Sequence, residues 1–173
     1  SEMCIRDRHY IDKKVDKSLL DEMLSAANLA PSWKNSQTPR FYVATGEKSK
    51  NAVREALPEF NRKNSENASA YIVTTVVLNR SGFDKDGTAV TEIGNGWGYY
   101  DLGLNNMALL LKATELGIST LVMGIRDGEK LREEFDIPKT EAVVSVIAVG
   151  YTDSEIVRPK RKSVEDFAKF YED

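Results

Sequence analysis

The distribution of apolar and polar positions divides the chain into alternating helical and extended segments. Leu20, Met23, Leu24 and Ala27 recur at helical spacing, and Asp16 stands at the N-cap position of a helix running to about Leu29. Pro31 disfavours helical backbone at Ala30 and ends that element. A short strand is predicted over 41–45 and closed by Gly46, then a helix over 48–57 that Pro58 interrupts, and a polar helical turn over 59–66. Residues 71–78 (YIVTTVVL) are β-branched and almost wholly apolar, the pattern of a central strand buried on both faces. Residues 81–98 are glycine-rich and irregular, as lids and binding loops often are.

The strongest helical pattern covers 102–116. Leu102, Leu104, Met107, Ala108, Leu109, Leu110, Leu111, Ala113 and Leu116 occupy most of its circumference, so it should be buried nearly all round, in a core or at a subunit interface. Gly117 suits the position after its end. A strand follows over 118–123 and breaks at Gly124; a short helix covers 128–135; a buried strand over 143–149 ends at Gly150. Residues 156–162 are extended and basic. Ser163 then caps a last amphipathic helix with Val164, Phe167, Ala168 and Phe170 or Tyr171 inward. Residues 1–8 show no periodicity and read as an irregular lead-in that need not be native. The pattern implies one α+β domain over 1–173, with about four strands and one dominant buried helix. Burying that helix on all sides in a chain this short favours an obligate homodimer.

Composition narrows the chemistry. Hydrophobic residues make up 41% and charged residues 29% of the 173, as in soluble globular proteins. A net charge of −3 argues against nucleic-acid binding through bulk charge. No apolar run approaches the roughly 20 residues of a membrane span, and the first residues hold no signal-peptide core. A cytoplasmic location is expected. A single cysteine, Cys4, and a single histidine, His9, make zinc sites and a Ser-His-Asp triad poor readings. An enzyme so equipped would draw its chemistry from a bound cofactor.

The candidate site begins in residues 30–41, APSWKNSQTPRF. This turn packs hydroxyl, carboxamide, indole and basic groups together. Carboxamides offer both a donor and an acceptor, which suits the polar edge of a flat cofactor, although such residues also simply close turns. Arg158, Lys160, Arg161 and Lys162 form a basic run that could hold a phosphate or merely face solvent. Two glycine patterns carry less. Gly94, Gly96 and Gly98 have the wrong spacing for a dinucleotide loop and read as a flexible hinge; Asp84, Asp86 and Gly87 lack the remaining ligands of a calcium loop and read as a turn. Trp97, Tyr99 and Tyr100 suit either stacking on a ligand or interface packing.

PSWKNSQTPRF resembles the PS-x-x-N-x-Q-P-W-x-F motif of the nitroreductase family of FMN-dependent oxidoreductases. The segments YDLGLNNMALLLKATELG, LVMGI, VVSVIAVGY and PKRKS follow in the family's order, so the resemblance spans most of the chain. It implies an α+β sandwich with a mostly antiparallel sheet flanked by helices. It also implies a homodimer that exchanges C-terminal segments and shares two FMN sites. The implied activity is ping-pong: hydride from NADH or NADPH to flavin N5, then two electrons to a nitroaromatic, quinone or related acceptor. Alternatives are reductive dehalogenation on the same scaffold, or flavin binding or sensing with little turnover.

The resemblance assigns Pro31, Ser32, Asn35, Gln37 and Asn61 to the flavin. It places a backbone N–H of Met123, Gly124 or Ile125 at flavin N5, and Lys160 and Arg161 at the phosphate. Two departures stand out. The family's N-terminal R-x-S-x-R pattern survives only as Arg8, with Arg6 as a partial substitute beside Cys4 and Ile5. Thr38-Pro39 replaces the usual Pro-Trp, which alters the pocket wall.

Overall fold

The computed structural model describes residues 9–153 and 159–172. Five strands and five helices occur among these: β1 Tyr10–Ile11, α1 Lys17–Asn28, β2 Pro39–Ala44, α2 Glu47–Glu55, α3 Glu59–Asn64, β3 Ala70–Val77, α4 Gly96–Glu115, β4 Ser119–Met123, α5 Gly128–Glu134 and β5 Glu141–Thr152. All strand pairs are antiparallel. The order β1-β5-β3-β2 is completed by β4, which also pairs with β5.

The two-residue period of the central strands distributes the core over both sheet faces. Tyr71, Val73, Val146 and Ala148 pack on one side with Val53 of α2 and Leu131 of α5. Ala70, Ile72, Ile147 and Val149 pack on the other with Leu20, Met23 and Ala27 of α1 and Leu109, Leu110 and Ala113 of α4. The run over 71–78 is therefore a strand covered by helices on both faces, and it lacks polar alternation for that reason.

Strand direction fixes which segments meet. Pro39 lies opposite Val76, at the end of β3. Met123 lies opposite Val146, which lies opposite Val73, and β4 runs in the same direction as β3. The turn before β2 and the Gly124 step after β4 thus leave the sheet at the same end. At the other end Tyr10 pairs with Thr152, whose hydroxyl donates to the His9 carbonyl at 2.8 Å. The N-terminal and C-terminal segments accordingly enter and leave side by side.

Two expectations change. α4 starts at Gly96, six residues before the predicted Leu102, so Gly96 and Gly98 are helical and not a hinge. Gly98 is buried there against β3, where an added Cβ would sit 2.8 Å from Val76 Cγ2. Within one chain α4 leaves Tyr99, Tyr100, Met107 and Leu111 exposed, which leaves the subunit-interface alternative for this helix open. The last predicted helix is a single turn over Val164–Asp166; Ser163 and Asp166 do form a capping box, but Val164, Phe167, Phe170 and Tyr171 are exposed rather than inward. β1 was too short to show a period. No described helix is long and apolar enough to cross a membrane.

Candidate flavin site

The turn between α1 and β2 has unusual backbone geometry. Lys34, Asn35 and Gln37 all have positive φ, at 46°, 54° and 48°. Such conformations are disfavoured for residues with a Cβ and persist only where neighbours enforce them. Within the turn, Asn35 N donates to Ser32 O at 3.0 Å, Ser36 N to Trp33 O at 2.8 Å, and Gln37 N to Ser32 Oγ at 3.0 Å. The Ser32 hydroxyl is thus an acceptor inside the turn. The Asn35 and Gln37 side chains are exposed and make no hydrogen bond among the described residues.

A buried network anchors this turn from outside. Asp101 of α4, 2% exposed, accepts the Trp33 N–H at 3.1 Å on each carboxylate oxygen and the Ser81 hydroxyl on Oδ2. Ser81 Oγ lies 2.6 Å from Ser36 Oγ and 3.2 Å from Thr38 Oγ1. Thr38 is buried, and its carbonyl accepts Val77 N–H at 3.0 Å. Where the family motif has proline, this chain uses a hydroxyl to tie the turn to the following loop. The Trp33 and Trp97 rings lie 4.7 Å apart, Tyr100 meets Trp97 edge-on at 5.7 Å, and Lys34 pairs with Asp84 at 3.2 Å. Asp86 accepts the Thr88 N–H at 2.9 Å, which makes the acidic segment an ordinary turn.

Ser32 and Gln37 line a cavity of about 180 Å³ with Arg40, Phe41 and Asn105. Asn35 faces a different groove, of about 620 Å³, between the turn and residues 79–87. Pro31 is exposed and borders neither. Asn61 of α3 is buried, and its Nδ2 donates to the Ile125 carbonyl at 2.9 Å. That bond joins Asn61 to the Met123–Gly124–Ile125 step, at the end of the sheet from which the turn also projects. Met123 is buried, whereas Gly124 and Ile125 are exposed. Lys160 and Arg161 are exposed in the C-terminal segment, and neither lines the cavity or the groove beside the turn. Arg6, Arg8 and Arg158 lie outside the described residues.

Asp101, Ser81, Arg40 and Asn105 did not emerge from the sequence pattern. The signal was present for two of them. Asp101 and Asn105 sit four residues apart, on the same stripe as Leu102 and Leu109, and polar groups on a buried stripe need partners.

The donor set fits FMN in kind: free carboxamides for a ring edge, a hydroxyl, exposed backbone at a glycine step, and cations for a phosphate. The cavity beside Ser32 and Gln37 is small for the whole group. A cavity of about 180 Å³ falls short of the roughly 300 Å³ at which pockets enclose drug-sized ligands.

Comparison with known proteins gives the same direction. An Archaeoglobus fulgidus protein with the provisional name NADH dehydrogenase/NAD(P)H nitroreductase is 27% identical over 155 residues, covering 86% of this chain and 80% of its own. The crystal structure of a nitroreductase family protein from Streptococcus pneumoniae matches with a TM-score of 0.83 at 22% identity, over 98% of this chain and 97% of that one. A structure described as an oxidoreductase containing FMN matches with a TM-score of 0.80 at 24% identity, over 94% and 85% of the two chains. At those identities the two structures establish the fold. The family model for the nitroreductase family matches residues 5–151, most of the chain. This chain therefore belongs to the nitroreductase family of oxidoreductases.

Proposed function

We propose that the protein is an FMN-dependent oxidoreductase, taking electrons from NADH or NADPH and delivering them to a nitroaromatic, quinone or related acceptor. The observation that carries this reading is the turn over residues 32–37. It holds three left-handed residues in place and presents the Asn35 and Gln37 carboxamides without hydrogen-bond partners among the described residues. Strained backbone that displays unpaired polar groups marks a binding site better than it marks a structural turn.

The roles follow from each group's chemistry. Gln37 and Asn35 would meet the donors and acceptors of the ring edge. Ser32 would hold the turn by accepting Gln37 N–H while facing the cavity. Asn61 would fix the backbone at Met123–Ile125, so that an N–H there points to where negative charge gathers on a reduced ring. Lys160 and Arg161, with Arg6 and Arg8, would neutralise the phosphate. FMN, when bound, supplies the two-electron chemistry; the protein binds, orients and leaves one face open. The small cavity and the exposed apolar faces of α4 and the C-terminal segment favour a homodimer in which each site uses both chains. A cytoplasmic location goes with this reading.

Purified protein tests it directly. Visible flavin absorbance should bleach anaerobically with NADH or NADPH and return with a quinone or nitroarene. Bound flavin that does not bleach would make the protein a flavin binder. Failure to retain or take up FMN would end the proposal.

A further inference from the structure

Asp101 is a buried acid. Among the described residues none of the ion pairs includes it. Its partners are neutral donors, the Trp33 N–H and the Ser81 hydroxyl. A carboxylic acid is costly in such a place, and an apolar residue would fill a helix–sheet interface more simply. What it does here is specific. It grips the first residue of the 33–35 turn, and through Ser81 it reaches Ser36 and Thr38. Lys34, Asn35 and Gln37, the three left-handed residues, lie inside the interval bounded by those anchors.

We propose that Asp101, acting through Ser81, is a positioning residue that holds the 32–38 turn in its left-handed conformation and so sets the edge that Asn35 and Gln37 offer to a bound flavin. This rests on the flavin reading for its last step, and on the hydrogen bonds alone for the first. Three disfavoured residues need firm anchors, and Asp101 engages the Trp33 N–H with both of its side-chain oxygens. Asn35 and Gln37 face different cavities, so a small rotation of the backbone between them would move one amide without the other. The role is positional: Asp101 lines neither cavity.

Amide hydrogen exchange and FMN titration, on the full chain and on Asp101→Ala, Asp101→Asn and Ser81→Ala, test both steps. Asp101→Ala should speed exchange across residues 33–38 by about tenfold or more, while β3 and β5 stay protected, and should raise the Kd for FMN by about tenfold. Asp101→Asn keeps an acceptor for the Trp33 N–H and should recover part of both effects. Ser81→Ala should loosen the 36–38 segment more than Trp33. Unchanged exchange in the turn, or acceleration spread evenly over the whole chain, would overturn the positioning role. If Asp101→Ala does not fold, Asp101→Asn and Ser81→Ala decide by the same local readout. A parent chain that takes no FMN would overturn the flavin step, while the exchange result would still decide the first.

Discussion

Asn61 donates its side-chain N–H to the Ile125 carbonyl at 2.9 Å, and this bond ties α3 to the chain leaving β4. Only a donor can make it. Asn61→Ala removes the donor and should lower stability by about 0.5–1.5 kcal/mol in urea unfolding. Asn61→Asp is closer in shape but puts an acceptor against an acceptor, so it should cost more than alanine. FMN should leave both variants faster than the parent. An aspartate variant more stable than the alanine variant would show that the bond does not set the position of this segment.

Gly98 tests the fit of α4 on the sheet. Alanine in a helix is normally favoured over glycine by about 0.5–1 kcal/mol. Here the added Cβ would lie 2.8 Å from Val76 Cγ2, and a β-branched side chain has little freedom to withdraw. Overpacking should win, with a net loss of about 1–3 kcal/mol. Adding Val76→Ala should make the pair less destabilised than the sum of the single changes, because each change relieves the other. Additive losses in a thermal or urea cycle would count against the clash.

These two sites show what the sequence could and could not reveal. Asn61 could be named because a carboxamide before a small-residue segment matches the family pattern, but its bond to Ile125 is between residues far apart in sequence. Gly98 was misread. Glycines hide a helix start from any period, and their burial depends on the sheet lying beneath. β3 and β5 were legible because continuous apolar β-branched runs have few other uses. The C-terminal helix failed for the opposite reason: Val164, Phe167 and Phe170 have an amphipathic spacing, yet among the described residues they cover no surface and stay exposed. Thr38 was marked as a departure from the family, and the structure gives it a buried partner in Ser81.

Tyr71 should govern part of the alkaline stability. Burial is the main cause that raises its phenol above the ordinary value near 10.0, and the hydroxyl donates to the Ser65 carbonyl at 2.7 Å. Tyr42 is shifted the same way, by burial and then by its hydrogen bond to Glu141. The native state therefore holds these protons more tightly than the unfolded chain. Their contribution is complete below about pH 10 and is lost as pH climbs through the raised native values. Tyr71→Phe should lose about 1 kcal/mol at pH 7 and decline less steeply above pH 10. Parallel pH profiles for parent and variant would contradict this assignment.

Arg161 is the cation most readily tested at the phosphate. It is exposed and sits beside Lys160 in a chain that is acidic overall. Arg161→Ala should weaken FMN binding by about tenfold at low salt, and the gap should narrow as salt screens the parent. Riboflavin, which has no phosphate, should bind parent and variant alike. Equal FMN affinity in both proteins would remove Arg161 from the site.

The C-terminal segment offers the sharpest test of a shared site. Phe167, Phe170 and Tyr171 are 71%, 75% and 84% exposed on a single chain, and α4 exposes Tyr99, Tyr100, Met107 and Leu111. Large apolar groups left uncovered in two places mark candidate interaction surfaces, and in the proposed homodimer a second chain would cover both at once. Burying each phenylalanine would contribute about 1.5–3 kcal/mol. Phe167→Ser with Phe170→Ser should then shift the protein from dimer to monomer in sedimentation. FMN should be lost with the dimer, since one chain encloses only about 180 Å³ beside Ser32 and Gln37. A variant that stays dimeric and keeps its flavin would show that the segment covers neither the partner nor the site. A parent that is monomeric yet fully loaded with FMN would mean that a single chain completes the pocket.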